Sequence, residues 1–342
     1  MKTKLVVLLV LLLCSFSGAF AADSPQYTVI SHFAVGGEGG WDYLAFDGDG
    51  GRLFISRGTH VMVLDAATGK QLGDIPDTQG VHGIAFVPGL GLGLTSNGRA
   101  GTVTIFDLKS LKKSGEVKVG TNPDAIMYDP ASQRVFAFNG RSNDASVIDP
   151  AKATVVATIP LGGKPEFGVS DGHGHVFVNI EDKSEIVEID ANKMTVLARW
   201  PLAPCEEPSG LAIDSKNGRL FSVCSNKTMA VVDTSTGKVV ATPPIGDRPD
   251  AAAFDPEAKL AFSSNGEGTL TIVRQDSADK YAVAQTVTTV RGARTMALDP
   301  ESHKIYLVTA QFGPAPAPTA DQPHPRPSLV PGSFEVIVVG SK

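Results

Sequence analysis

Seven positions spaced 40 to 44 residues apart carry side chains able to hold a charged ligand or to move a proton: Asp42, His82, Asp124, Glu166, Ser209, Asp250 and Arg294. Their carboxylates and imidazole are oxygen and nitrogen donors for a divalent cation, with His82, Asp124 and Glu166 the ligand candidates. The same carboxylates could take the cationic group of an organic ligand. Crowded carboxylates also raise one another's pKa, which is how one of them, or His82, becomes a general acid or base near neutral pH. The plainer reading is mutual neutralisation, helped by the nearby Arg57, Lys164, Arg248 and Arg291, with ordered water between the charges. All of this chemistry requires that seven residues distant in sequence meet in space.

The elements that would bring them together are repeats. A short apolar run follows each of the seven positions and ends in a turn at Asp47, Val87, Asp129, Asp171, Asp214, Asp255 and Asp299, so the turn recurs with the same period. Each unit continues with a second β-rich run such as Arg134-Val135-Phe136-Ala137-Phe138. A third follows and ends in Asp, as in Ser146-Val147-Ile148-Asp149, and then a fourth such as Val155-Val156-Ala157-Thr158-Ile159. Four short strands per period of about 40 to 45 residues define a propeller blade, so an all-β, seven-bladed β-propeller with four-stranded antiparallel blades is predicted. The last unit has only three strands before the chain ends at residue 342. Tyr27 to Phe33 is a β-run with no blade of its own, and it is predicted to complete the last blade and close the ring. The innermost strands line the channel, which puts the seven side chains on one shared ring. The recurrent Asp residues that end strands read as turn builders, because Asp accepts from backbone amides two residues on. Asn97, Asn139 and Asn265 read in the same way, as caps of the turn after the second strand.

The units resemble YVTN-type β-propeller repeats, the family that contains YncE-like periplasmic proteins. The resemblance rests on Gly120-Thr121-Asn122-Pro123-Asp124, Asp129-Pro130, Asn139-Gly140 and Ile148-Asp149-Pro150, and it covers about residues 27 to 340. It implies the fold. Its relatives include both scaffolds and enzymes, some of them haem-linked or quinoprotein propellers with redox partners.

Composition agrees with an exported β-protein. The chain carries Gly 36 and Pro 23, with 42% hydrophobic and 19% charged residues, which suits short strands joined by tight turns and excludes disorder. Residues 1–21 read as a cleaved signal peptide: Lys2 and Lys4, an apolar run from Leu5 to Leu13, and an Ala19-Phe20-Ala21 cleavage site. A soluble periplasmic or secreted protein is expected, with no membrane span, as one propeller domain over 22–342 and as a monomer. The formal charge of −6 disfavours nucleic acid and anionic lipid as partners. In an oxidising compartment Cys205 and Cys224 are expected to form a disulfide, the alternatives being a redox or a metal-binding thiol pair.

One segment breaks the repeat. Residues 313–331 form a Pro-rich insertion in the last unit that contains His324 and Arg326 and leaves from the rim carrying the ring. A lid over the channel and a partner-docking arm fit it equally, and plain disorder is the third reading. The chain has no H-E-x-x-H, no P-loop and no dinucleotide-binding glycine fingerprint, and Gly36 to Gly40 precedes a strand, where no helix N-terminus presents amides to a phosphate. The expected function is therefore noncatalytic binding or scaffolding of a small ligand or periplasmic protein at the channel mouth. No cofactor is evident beyond a divalent cation in the channel. The alternative is a lactonase-like hydrolase, or a quinoprotein-type oxidoreductase component, that uses the ring's His and carboxylates.

Overall fold

Runs rich in Val, Ile, Phe and Tyr, each bounded by Gly, Asp or Asn, become short strands because branched and aromatic side chains pack well on a pleated surface. The computed structural model describes residues 25–317, 325 and 327–341; residues 1–21, expected to be a signal peptide, and His324 and Arg326 lie outside these. Among the described residues there are 28 strands, two single-turn 3₁₀ segments and no α-helix. The strands form seven separate four-stranded sheets, each antiparallel throughout. Blade 3 shows the plan, with Pro123–Asp129, Arg134–Asn139, Asp144–Asp149 and Thr154–Pro160 paired in that order from the channel outward.

Blade 7 is closed by the N-terminus. Tyr27–Ala34 pairs antiparallel with Glu335–Ser341, running from Tyr27 opposite Ser341 to Ala34 opposite Glu335. The Gln285 side chain of blade 6 accepts from the Tyr27 amide at 2.9 Å and donates to the Tyr27 carbonyl at 2.7 Å, which fixes the outer strand's entry. The ring thus has the expected seven blades and the expected closure.

Burial follows from the ring. Each sheet is covered on both faces by its neighbours, so second strands such as Arg134–Asn139 are buried almost throughout, whereas the outermost Thr154–Pro160 buries only Ile159. The apolar cores lie between blades. Leu53, Ile55, Met62 and Leu64 of blade 1, for example, pack on Tyr306, Val308, Val336 and Val338 of blade 7.

The recurrent Asp residues build turns, as their chemistry suggests. Asp129 accepts from the Ser132 amide at 2.7 Å, Asp171 from His173 at 2.7 Å and Asp255 from Ala258 at 2.9 Å. Several also reach the next blade: Asp129 accepts from the Ser170 hydroxyl and Asp255 pairs with His303 Nδ1 at 2.6 Å. The Asn residues span the turn after the second strand, as expected of caps, donating from Nδ2 to Thr102 at 3.2 Å, Asp144 at 2.6 Å and Thr269 at 3.0 Å. Asn97, Asn139 and Asn265 also donate from Nδ2 across to third-strand side chains, to Thr104, Ser146 and Thr271 at 2.9 to 3.0 Å, and so lock the second strand to the third.

Cys205, in the segment entering blade 5, is bonded to Cys224 at the end of that blade's second strand, with Cα atoms 5.6 Å apart and a sequence separation of 19. Cross-linking a loop of this size removes unfolded-state freedom worth about 3 kcal/mol. A Cys205→Ser, Cys224→Ser double variant is therefore expected to lose about 2–4 kcal/mol in a urea titration, and dithiothreitol is expected to bring the parent chain down to the variant's level. No helix among the described residues is long and apolar enough to cross a membrane.

Candidate functional site

The seven ring positions lie where the inner strands depart from regular pairing. In blades 2 to 6 the ladder shifts between Val81 and Ile84, Pro123 and Ile126, Pro165 and Gly168, Pro208 and Leu211, and Pro249 and Ala251. His82, Asp124, Glu166, Ser209 and Asp250 all fall inside these irregularities, and a bulge of this kind re-aims a side chain away from the sheet's own alternation. In blades 1 and 7 the inner strands begin at Leu44 and Met296, so Asp42 and Arg294 sit on the segments that enter them.

Alternate blades clamp the ring backbone. Ser96 donates to the Asp124 carbonyl, Asn179 to the Ser209 carbonyl at 2.9 Å and Ser264 to the Arg294 carbonyl. All three are fully buried polar residues at the next-to-last position of a second strand, where the other blades have Ile55, Phe138, Val223 and Val308. A buried polar residue in an otherwise apolar strand is the informative kind. That was the signal by which these positioning residues could have been found in the sequence.

The structure brings the ring together around a set of ion pairs. His82 Nδ1 lies 2.6 Å from Asp42 Oδ2 and 3.9 Å from Asp124 Oδ1. Arg294 spans Asp250 at 2.7 Å and Asp42 at 3.9 Å. Lys164 holds Glu166 at 2.8 Å and also pairs with Glu181. Ser209 turns its hydroxyl to the Asp250 carbonyl at 3.1 Å. Asp42, His82 and Asp124 each offer a ligand atom within 4.8 Å of the others, a spacing that one cation could bridge. Glu166, expected as the third ligand, is not in that group and is held instead by Lys164.

Burial and neighbouring charges shift the titration of the ring. Burial pushes Glu166 up to about 8, with the Asp124 charge adding to it and Lys164 opposing. Burial likewise pushes Asp250 up to about 7 against the pull of Arg294. Asp124 is raised by burial, an effect that His82 only partly offsets. Burial pulls the His82 imidazole down, but its hydrogen bond to Asp42 and the charges of Asp124, Asp42 and Glu166 outweigh that and leave its pKa raised.

The channel has a floor. One residue deeper than the ring, Tyr43 of blade 1 and Phe167 of blade 4 stack with centroids 4.6 Å apart. Those blades are not neighbours, so the rings meet across the channel and form a floor under the recess, or cup, that the ring residues line. The Tyr43 hydroxyl is sealed from solvent without a well-formed hydrogen bond, and burial together with Asp124, Glu166, Asp42 and Asp250 pushes its pKa well up. The other units carry Gly83, Ala125, Gly210, Ala251 and Thr295 at this position. Two aromatics among five small residues were the sequence signal for the floor.

Other candidates lie elsewhere. Arg57 does not neutralise the ring: its guanidinium is buried over the Phe334 ring at 3.6 Å and donates to the carbonyls of Gly36, Glu38 and Gly39. The Gly-rich segment therefore turns carbonyls inward, the reverse of an anion cradle. Arg248 and Arg291 make no ion pair among the described residues; both line the rim. The Pro-rich insertion is pinned at its base, where Phe312 bridges Leu329, Gly313 donates to the Ser328 carbonyl at 2.8 Å and Val330 donates to the Gln311 carbonyl at 2.8 Å. Gly168-Val169-Ser170-Asp171-Gly172 spells the G-x-S-x-G of a nucleophile elbow, but it ends an inner strand with no helix after it, and the Ser170 hydroxyl is held by Asp129.

No family model matches the chain, and no curated protein matches it. Among the many solved chains that do match is Kuenenia stuttgartiensis hydrazine synthase, with a TM-score of 0.69 and 19% identity over 78% of this chain and 92% of that one. The likeness is one of fold. At that identity it carries no substrate or chemistry across, since one propeller architecture serves many functions.

Proposed function

We propose that the chain is a noncatalytic binding protein of the periplasm or extracellular space, and that its cup holds a cation. The cation is a divalent metal ion or the ammonium group of a small ligand or partner protein. The observation that carries this reading is the convergence of Asp42, His82 and Asp124 within 4.8 Å above the stacked Tyr43 and Phe167 rings. A cation there would stabilise the charged forms of Asp124, Glu166 and Asp250, which burial and, secondarily, neighbouring carboxylates disfavour, and it would face the Tyr43 hydroxyl. The resemblance to YVTN-type repeats supports an exported binding role, and membership of that family is part of the proposal. Calorimetric titration with Zn²⁺, Mn²⁺, Ca²⁺ and putrescine is expected to find at least one that binds, weakened roughly tenfold or more in Asp124→Asn. Equal binding by the variant, or no binding by any of the four, would overturn the reading.

One observation favours a second reading. Asp42 on His82 Nδ1 is the arrangement that orients an imidazole and leaves Nε2 to act as a base. A lactonase-like hydrolase would use it to deprotonate water. Turnover of any member of a lactone panel that disappears in His82→Ala would establish this reading over the first.

A further inference from the structure

Beside the cup, over blades 6, 7 and 1, lies a cavity of about 430 Å³ whose lining includes Trp41, Arg248, Arg291, Arg294, Phe312 and Leu329. Three guanidinium groups gather there on a chain whose formal charge is −6. Arg294 is held by Asp250 at 2.7 Å. Arg248 reaches only a carbonyl, that of Gly266, at 3.3 Å, and the Arg291 side chain has no hydrogen bond or ion pair among the described residues. Like charges gathered without counterions repel one another, and arginine forks match a carboxylate in two parallel hydrogen bonds.

The opposite wall is aromatic. Trp41 packs on Phe334 with centroids 5.5 Å apart and lies 6.2 Å from Phe312. Phe312 is partly exposed and is seated on Gly292, where a Cβ would come within 2.7 Å of its ring, so glycine at 292 is what lets the aromatic lie there. The base of the insertion holds Phe312 opposite Leu329 as a short two-stranded stem. The volume falls in the range of small-molecule sites, and an apolar wall with a few convergent polar groups is the usual make-up of such a site.

We propose that this cavity binds a flat organic anion, an aromatic carboxylate being the chemistry that fits. The carboxylate lies among Arg248, Arg291 and Arg294, and the ring lies against Trp41, Phe312 and Leu329. The site goes beyond the cation cup and shares only Arg294 with it, so each can fail without the other.

The test is calorimetric titration of the full mature chain with 2-naphthoate, with neutral 2-naphthamide and with inorganic phosphate. Naphthoate is expected to bind at least about tenfold more tightly than either comparator. An Arg248→Gln, Arg291→Gln double variant is expected to weaken it by roughly tenfold or more, and Phe312→Ala by several-fold, with both variants melting as the parent does because these side chains are exposed at the rim. Four outcomes would overturn the proposal: no naphthoate binding to the parent chain, equal binding of the amide, equal binding of phosphate, or undiminished binding by the double arginine variant. The cation titration reads the cup separately, so naphthoate binding without cation binding sinks the cup alone, and the converse sinks this cavity alone.

Discussion

Deleting residues 25–34 is expected to abolish the single cooperative unfolding transition and to convert the chain into an aggregating or oligomeric species. The segment supplies the whole outer strand of blade 7, paired along Glu335–Ser341. It also buries Tyr27 in the core shared with Phe262, Leu270 and Ile337, and packs Phe33 against the blade 1 to blade 7 core. Each large side chain so buried contributes about 1.5–3 kcal/mol. Tyr27, the partly buried Val29 and Phe33, and seven residues of lost pairing together make up a large share of the stability of an ordinary domain, about 5–15 kcal/mol. The deletion also opens a strand edge of largely apolar sequence, Val336 to Val339, to pairing with other chains. Thermal melting with size-exclusion chromatography checks this, and a synthetic peptide of residues 25–34 added in trans is expected to restore part of the monomer by adding the missing strand. A truncated chain that melts as one monomeric transition within a few degrees of the parent would show that blade 7 closes without it.

The second large effect is on pH. Glu166 and Asp250 bind protons more tightly in the folded chain, up to about 8 and about 7, than their ordinary values of 4.5 and 3.8. A carboxyl group whose folded pKa is raised gives stability that is complete below its unfolded value and is lost as pH climbs through the folded one. His82 acts in the same sense, since its folded pKa lies above 6.5. Stability is therefore expected to fall between about pH 4 and pH 8.5, by a few kcal/mol when the three groups are taken together. The turn carboxylates Asp65, Asp107, Asp190 and Asp233, whose pKa values are lowered by hydrogen bonds from the turns they build, act in the opposite sense and only below about pH 4. The optimum thus lies near pH 4. Melting curves across this range check it, and Asp250→Asn should flatten the slope because an amide does not titrate. A melting temperature that is flat or rises from pH 5 to pH 8.5 would mean that the ring charges are well solvated and do not crowd one another. A cation bound in the cup should flatten the slope in the same way as the substitution, which ties this measurement to the proposed function.

The blades were legible because each is a local unit written seven times. The apolar run, the turn Asp and the third-strand Asp recur within one period, and every blade needs them for the same reason, so seven imperfect copies reinforce one another. The closure was legible as a deficit: a last unit one strand short, and an orphan strand before the first. Ring membership followed from the same register, and so did the separation of turn-building Asp129, Asp171 and Asp255 from Asp42, Asp124 and Asp250.

What the sequence alone determined is the number of blades, how the ring closes and which seven side chains face one another. The tertiary structure alone decided what those side chains do. That Asp42 joins His82 and Asp124 while Glu166 turns to Lys164 depends on how bulged inner strands aim side chains from different blades, and no local pattern encodes that. The Tyr43 and Phe167 floor, the burial of Arg57 under the Gly-rich segment, and the rim where Arg248 and Arg291 meet Trp41 and Phe312 are likewise meetings of residues from different blades. The physical reason is that a repeat specifies contacts within a blade and between adjacent blades, whereas the channel is the one place where all seven converge, and its chemistry is set by the residues in which the copies differ.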